Sequence, residues 1–351
     1  MVASPVPSSS ASSLDRAQRL PVRFAWTVIA VHAGLFVLGM VLQLLPISPN
    51  SEQMRGVYAQ PGVWIPLLSR TVTVWLLAAT LAWCHARQAL DLRGAARVSQ
   101  LRGPGRRFAA VYLAAMVVDY VALSPLLYQV QVFFMPGGAL HAHVEGYGLR
   151  SILAASMLVQ SVLQMLLLVA IVWLAAWFAM RERGGTAPAA APADAAAPQA
   201  GVGASPRRAI AMVVGSTFVA LQMWVGNIAS AWVDTSRDTD LLPLLLGWFA
   251  VPLLVWALAA WGGWLGAALG PARARPFRAV AAASAAFVLL QVICAAVALG
   301  GLLWVASMGY ASTSSDARVF GLAIALVLVY LVLLVVLARA IVRRLYRRFY
   351  L

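Results

Sequence analysis

About eight times along this chain, an apolar stretch of roughly twenty residues or more is closed at its ends by arginines or a polar loop. Each stretch is long enough to cross about 30 Å of hydrocarbon. Inside lipid a segment has no water to satisfy its peptide groups, so it closes its own hydrogen bonds as a helix. Barrel strands are excluded because they alternate polar and apolar residues, and these runs do not. Only 11% of the 351 residues are charged, against about a quarter in soluble domains. The expected fold class is an all-α integral membrane protein with eight transmembrane helices.

The spans are expected at 24–45, 63–84, 108–128, 151–178, 209–233, 241–268, 279–305 and 319–342. All 26 basic residues are arginine. With this span order, 21 of them fall on one side of the membrane, from Arg16 to Arg23, Arg87 to Arg107, Arg181 to Arg208, Arg273 to Arg278 and Arg339 to Arg348. Four (Arg55, Arg150, Arg237 and Arg318) fall on the other, and Arg70 lies within a span. The positive-inside rule makes the rich side cytoplasmic, with both termini there. An odd number of spans scrambles that sorting. The absence of lysine beside abundant Ala, Arg, Pro and Trp suggests a GC-rich bacterial genome, and hence a bacterial inner membrane. The first apolar run is longer than a typical signal segment and has no small-residue cleavage site, so it is expected to be retained.

The net charge of +15 invites a nucleic-acid reading. Clustering of the arginines at span ends argues against it, because topology alone produces that pattern. The expected partners are membrane lipids, with anionic headgroups at the cytoplasmic face, and a homo-oligomer or membrane partner protein. Cys84 and Cys294 fall at different depths and read as packing residues, not a disulfide.

The domain order follows. Residues 1–23 are a disordered cytoplasmic N-terminus and 24–180 a first four-helix unit. An Ala/Pro-rich linker spans 181–208, 209–342 form a second four-helix unit, and 343–351 are a basic tail. The halves share weak similarity. Val74, Trp75, Leu77, Ala78, Ala79 and Trp83 recur at the same spacing as Val255, Trp256, Leu258, Ala259, Ala260 and Trp264. An even number of spans per copy makes the two four-helix repeats parallel, as in some transporters.

Ionisable residues in hydrocarbon are costly and ask for a reason. Arg70 and Asp119 fall at similar depths in the outer halves of spans two and three, which predicts an ion pair between them. Gln160 and Gln164 follow Ser156 along one face of span four, and Asn227 lies in the outer part of span five. These residues form a candidate intramembrane polar site with His32, which is expected to hydrogen-bond a neighbouring helix. A haem ligand role for His32 lacks a second histidine at matching depth, so no cofactor is expected. His141, His143 and Glu145 alternate in an outer loop and are weak candidates for a metal if extended. Asp234, Asp238 and Asp240 read as a solvated turn. Gly262, Gly266 and Gly270 recur every fourth residue in span six and mark a close helix–helix contact. Pro125 and Pro252 are expected to bend spans three and six.

No Walker A, His-Glu-x-x-His, Gly-x-Ser-x-Gly or Cys-x-x-Cys pattern occurs. The composition therefore points away from an enzyme. It is compatible with a transporter-like protein moving a small solute, ion or lipid-like molecule. A sensor, assembly or accessory subunit is the alternative, and an intramembrane enzyme acting on lipid-linked substrates is the third.

Overall fold

The computed structural model describes residues 17–48, 50–144, 146, 148–181, 204–230, 241–268, 273–307 and 315–347. No strand occurs among them, and eight helices are long and apolar enough to cross a membrane. Spans one to eight are Leu20–Leu44, Gly62–Arg93, Pro104–Val130, Ser151–Met180, Pro206–Gly226, Leu242–Gly266, Pro276–Ser307 and Arg318–Tyr346. Large apolar side chains such as Val288, Leu299, Leu303, Leu328 and Val332 are more than half exposed. In water this surface would drive aggregation; in a bilayer it faces its own solvent. The protein is a multi-pass, all-α membrane protein.

Several spans run further at their arginine-rich ends than hydropathy indicates. Helical hydrogen bonding continues past the apolar stretch until a backbone signal stops it. Span two ends at Gly94, whose φ is +76°. Span three starts at Pro104, directly after Gly103 with φ +59°. Proline suits a first helical turn because its missing N–H has no partner there anyway. Span eight carries its basic end in helix as far as Tyr346, whose fully buried ring donates its hydroxyl to the carbonyls of Ala274 and Arg275, the latter at 3.0 Å. The helix of span five begins at Ala204, inside the stretch expected to be linker.

Helix contacts divide the chain into two compact units. The first comprises residues 1–200 and 222–248, the second residues 201–221 and 249–351. One boundary, between residues 200 and 201, falls in the Ala/Pro-rich stretch, and the other two fall within the helices of spans five and six.

In the first unit, span one packs on spans two and three, and span four packs on the same two. Spans two and three thus occupy one diagonal. Phe24 stacks on Phe108 at 4.0 Å between ring centres, joining spans one and three. At the arginine-rich end, Arg93 from span two and Arg107 from span three donate to the last carbonyls of span four, Met180 and Arg181, the latter at 3.4 Å. Cations at a helix C-terminus meet the negative end of its dipole. Residues 222–248 join this unit through span two: Ser69 donates its hydroxyl to the Trp248 carbonyl.

In the second unit, span five meets span six where Trp256 Nε1 donates to Ser216 Oγ at 3.3 Å. It meets span seven where Phe218 packs edge-on to Phe287. Span eight packs on spans six and seven. The first helix of each unit therefore touches the second and third, and so does the fourth. Span seven also starts as span three does. Arg275, with φ +41°, directly precedes Pro276. The two units thus share their helix wiring.

Glycine sets the spacing in the second unit. A Cβ on Gly262 would come within 2.8 Å of the Val335 carbonyl oxygen, and one on Gly266 within 2.7 Å of that of Arg339. Close backbone approach of this kind replaces the hydrophobic drive that helices lack in lipid. The Gly262/Gly266 face is thus filled by span eight of the same unit. Gly270 lies outside the described residues.

Candidate functional site: a cavity between spans three and four

The expected ion pair does not form. Arg70 has no ion-pair or hydrogen-bond partner for its side chain among the described residues, and that side chain is exposed on span two. Its carbonyl accepts a bond from Thr73 Oγ1 at 2.8 Å. Asp119 is half-buried and accepts a long hydrogen bond of 3.5 Å from Ser124 Oγ on its own span. The reason is topological. Spans one and four stand between spans two and three, and diagonal helices lie about 13 Å apart when neighbours are 8–10 Å apart. Matching depth was necessary for a pair, but adjacency was also required.

His32 does bond a neighbouring helix: its Nε2 lies 2.8 Å from the hydroxyl of Tyr112 on span three. Trp75 stacks alongside at 6.2 Å. Tyr112 is fully buried, so this bond satisfies a hydroxyl that would otherwise be stranded in an apolar interior. Both residues lie a few turns in from the arginine-rich ends of their spans. Comparing polar residues by depth on spans one and three could have revealed Tyr112 as the partner.

Span three changes geometry at Asp119. The α-helix Pro104–Val118 passes into a π-turn, Asp119–Leu123, and then into the helix Ser124–Val132. Pro125 explains it. It has no N–H to offer the preceding turn, and the Ser124 N–H reaches back five residues to the Asp119 carbonyl. Span six repeats the device, with a π-turn at Leu246–Ala250 just before Pro252. Both expected bends coincide with such a turn.

Beyond Pro125, a half-open cavity of about 550 Å³ lies between spans three and four, toward the arginine-poor ends. Leu127, Val130 and Phe134 line it from the span-three side. Span four contributes a continuous face from Ser151 to Leu163 that includes Ala155, Ser156 and Gln160. The volume lies within the range of about 300–1,000 Å³ usual for small-molecule sites. Its wall is almost wholly apolar. The Ser156 hydroxyl donates to the Leu153 carbonyl at 2.8 Å, so its proton is engaged. The Gln160 amide has no hydrogen-bond partner among the described residues. Gln164 is half-buried one turn further along span four and does not line the cavity.

The second unit closes the corresponding seam. Span seven has no proline between Phe277 and Ser307 and packs along span eight. Gln291, at the register of Asp119, is hydrogen-bonded to Tyr330 of span eight. Gly301 lies so close to span eight that an added Cβ would meet Leu322 at 2.6 Å.

Other expected sites are not assembled. His141–Val144 is one helical turn, not an extended segment, so His141 and His143 point about 200° apart. His141 Nδ1 lies 3.3 Å from the Phe134 carbonyl oxygen, and Glu145 is outside the described residues. So are Asp234, Asp238, Asp240 and the side chain of Asn227. No group of three metal-binding side chains occurs among the described residues. Cys84 and Cys294 are both free.

No family model, no curated protein and no solved structure matches the chain.

Proposed function

We propose that this is a transporter-like, non-enzymatic protein of a bacterial inner membrane. It takes a lipid-like molecule from the outer leaflet into the seam between spans three and four. One observation carries the reading: the apolar cavity that opens beyond Pro125. By the positive-inside rule the arginine-poor ends beside it lie at the periplasmic side, since the arginine-rich ends are cytoplasmic. A hydrated ion or sugar would lose its water there against Leu127, Val130 and Phe134 with little in return. Hydrocarbon enters such a wall without that cost. The unpaired state of Arg70 and Asp119 removes the main support for a charged pathway. The cytoplasmic arginines serve a second purpose in this reading, holding anionic headgroups at about 1 kcal/mol each.

The test is transbilayer movement of a tail-labelled lipid in vesicles holding the purified chain. Movement should be faster than in protein-free vesicles and should fall to that background with Ala155→Trp, which fills the cavity. Equal rates with and without the protein would end the transport reading.

A further inference from the structure

We infer that the arginine-rich end of span four carries a binding site for the phosphate of an anionic phospholipid, built from Arg93, Arg107 and Arg181. The site lies at the other end of span four from the cavity and does not rest on the transport reading. Arg343 and Arg344 are exposed near the end of span eight and meet headgroups singly. At span four, three elements deliver a guanidinium to one place. Arg93 closes span two at Gly94, and Arg107 lies in the first turn of span three, after Gly103. Each donates an N–H to span four, to the carbonyls of Met180 and Arg181. Those residues are consecutive, with Cα atoms about 3.8 Å apart. Two like charges are thus drawn together next to a third.

The dipole of span four offsets only part of this charge, since its negative end is worth about half an elementary charge against three cations. No carboxylate pairs with Arg93, Arg107 or Arg181 among the described residues. Asp91, two residues before Arg93, is engaged by Arg87 at 3.4 Å. A guanidinium has five N–H donors, and each bond to span four uses one. The others fit the oxygens of a phosphate, which arginine grips as a fork. Arg93 and Arg107 are already held in place, so they lose less side-chain freedom on binding than a free surface arginine does.

The neighbouring surface suits the rest of a lipid. Trp173 and Trp177 stack at 6.4 Å between ring centres, and the Arg181 guanidinium stands over Trp177 at 5.2 Å. Trp173, Leu174, Trp177 and Phe178 are all exposed, so an apolar surface leads from the arginines along span four toward the hydrocarbon. Tryptophan favours that depth, where headgroups give way to acyl chains. A free phosphate uses only the cations, whereas a phospholipid uses the cations and the apolar surface together.

The experiment offers phosphatidylglycerol and phosphatidylcholine to the purified full-length chain in detergent and reads bound lipid by native mass spectrometry. Phosphatidylglycerol should bind at least about tenfold more tightly. Arg181→Gln should weaken it about fivefold, the share of one guanidinium near a phosphate. Arg93→Gln and Arg107→Gln keep a donor for the span-four carbonyls and should each do the same. Removing two charges elsewhere, with Arg343→Gln and Arg344→Gln together, should leave the affinity unchanged. Equal binding of the two lipids, or a loss in that double variant as large as in Arg181→Gln, would overturn the site. Release of the lipid by an equal concentration of inorganic phosphate would overturn it too, by making the occupant a free anion. Glu182, the next residue, lies outside the described residues. Phosphatidylglycerol binding that appeared only in Glu182→Gln would make the chain's own carboxylate the occupant, and the inference would fall.

Discussion

The seam between spans three and four and the seam between spans seven and eight begin alike and end differently. Each starts at a left-handed residue followed by proline, Gly103–Pro104 in one unit and Arg275–Pro276 in the other. Each joins the third and fourth helices of its unit. Span seven then continues as one α-helix to Ser307 and lies against span eight, with Gly301 beside Leu322. Span three breaks into a π-turn at Asp119, resumes at Ser124 and leaves a cavity beside span four. A single imino acid, Pro125, accounts for the point at which they part. Two units with the same helix wiring thus differ in one seam, packed in one and open in the other.

The sharpest way to break this contrast is to add the same bulk to each unit. Gly266→Leu drives a side chain into the Arg339 carbonyl and Val342 of span eight, and backbone cannot move aside cheaply. A loss of about 3 kcal/mol is expected, seen as a large drop in melting temperature in detergent. Ala155→Leu points into empty space in the first unit and should change stability by no more than about 0.5 kcal/mol. Similar melting of the two variants would show that the units are equally tight.

A smaller effect sharpens the comparison at its origin. Pro125→Ala restores a donor to the helix ladder and allows span three to run straight, as span seven does. The variant should gain about 1 kcal/mol in stability while losing most of the lipid retained on purification. Unchanged lipid retention would mean that the cavity does not depend on the π-turn.

The smallest expected effect concerns the charges. Because Arg70 and Asp119 lie on diagonal helices, a double-mutant cycle with Arg70→Ala and Asp119→Ala should give a coupling below about 0.5 kcal/mol. A coupling several times larger would show that the two meet after all, and would bring a charged pathway back.

Much of the molecule was open to inspection in the chain itself. Hydropathy marked all eight spans, because crossing lipid demands a long apolar helix and nothing else serves. Pro125 and Pro252 announced the irregular turns, since a missing N–H has the same consequence wherever it falls. The Gly262/Gly266 stripe announced a close contact, though not that span eight fills it. The candidate site was legible only in part. Gln160 stood out as an amide in an apolar run, whereas Leu127, Val130 and Phe134 were indistinguishable from any other lipid-facing residues. His32 was readable as a hydrogen-bonding group, and Tyr112 was identified as its partner only by packing.

What the sequence by itself determined is therefore the class of protein, the number of crossings and the segregation of arginine to one end of each helix. Those follow from the interaction of a single segment with the bilayer, which is local and strong. Which helices became neighbours was decided in three dimensions. Lipid is as apolar as the helices it surrounds, so hydropathy carries no record of who packs on whom. The separation of Arg70 from Asp119, and the opening of one seam where its counterpart closes, came from that choice of neighbours.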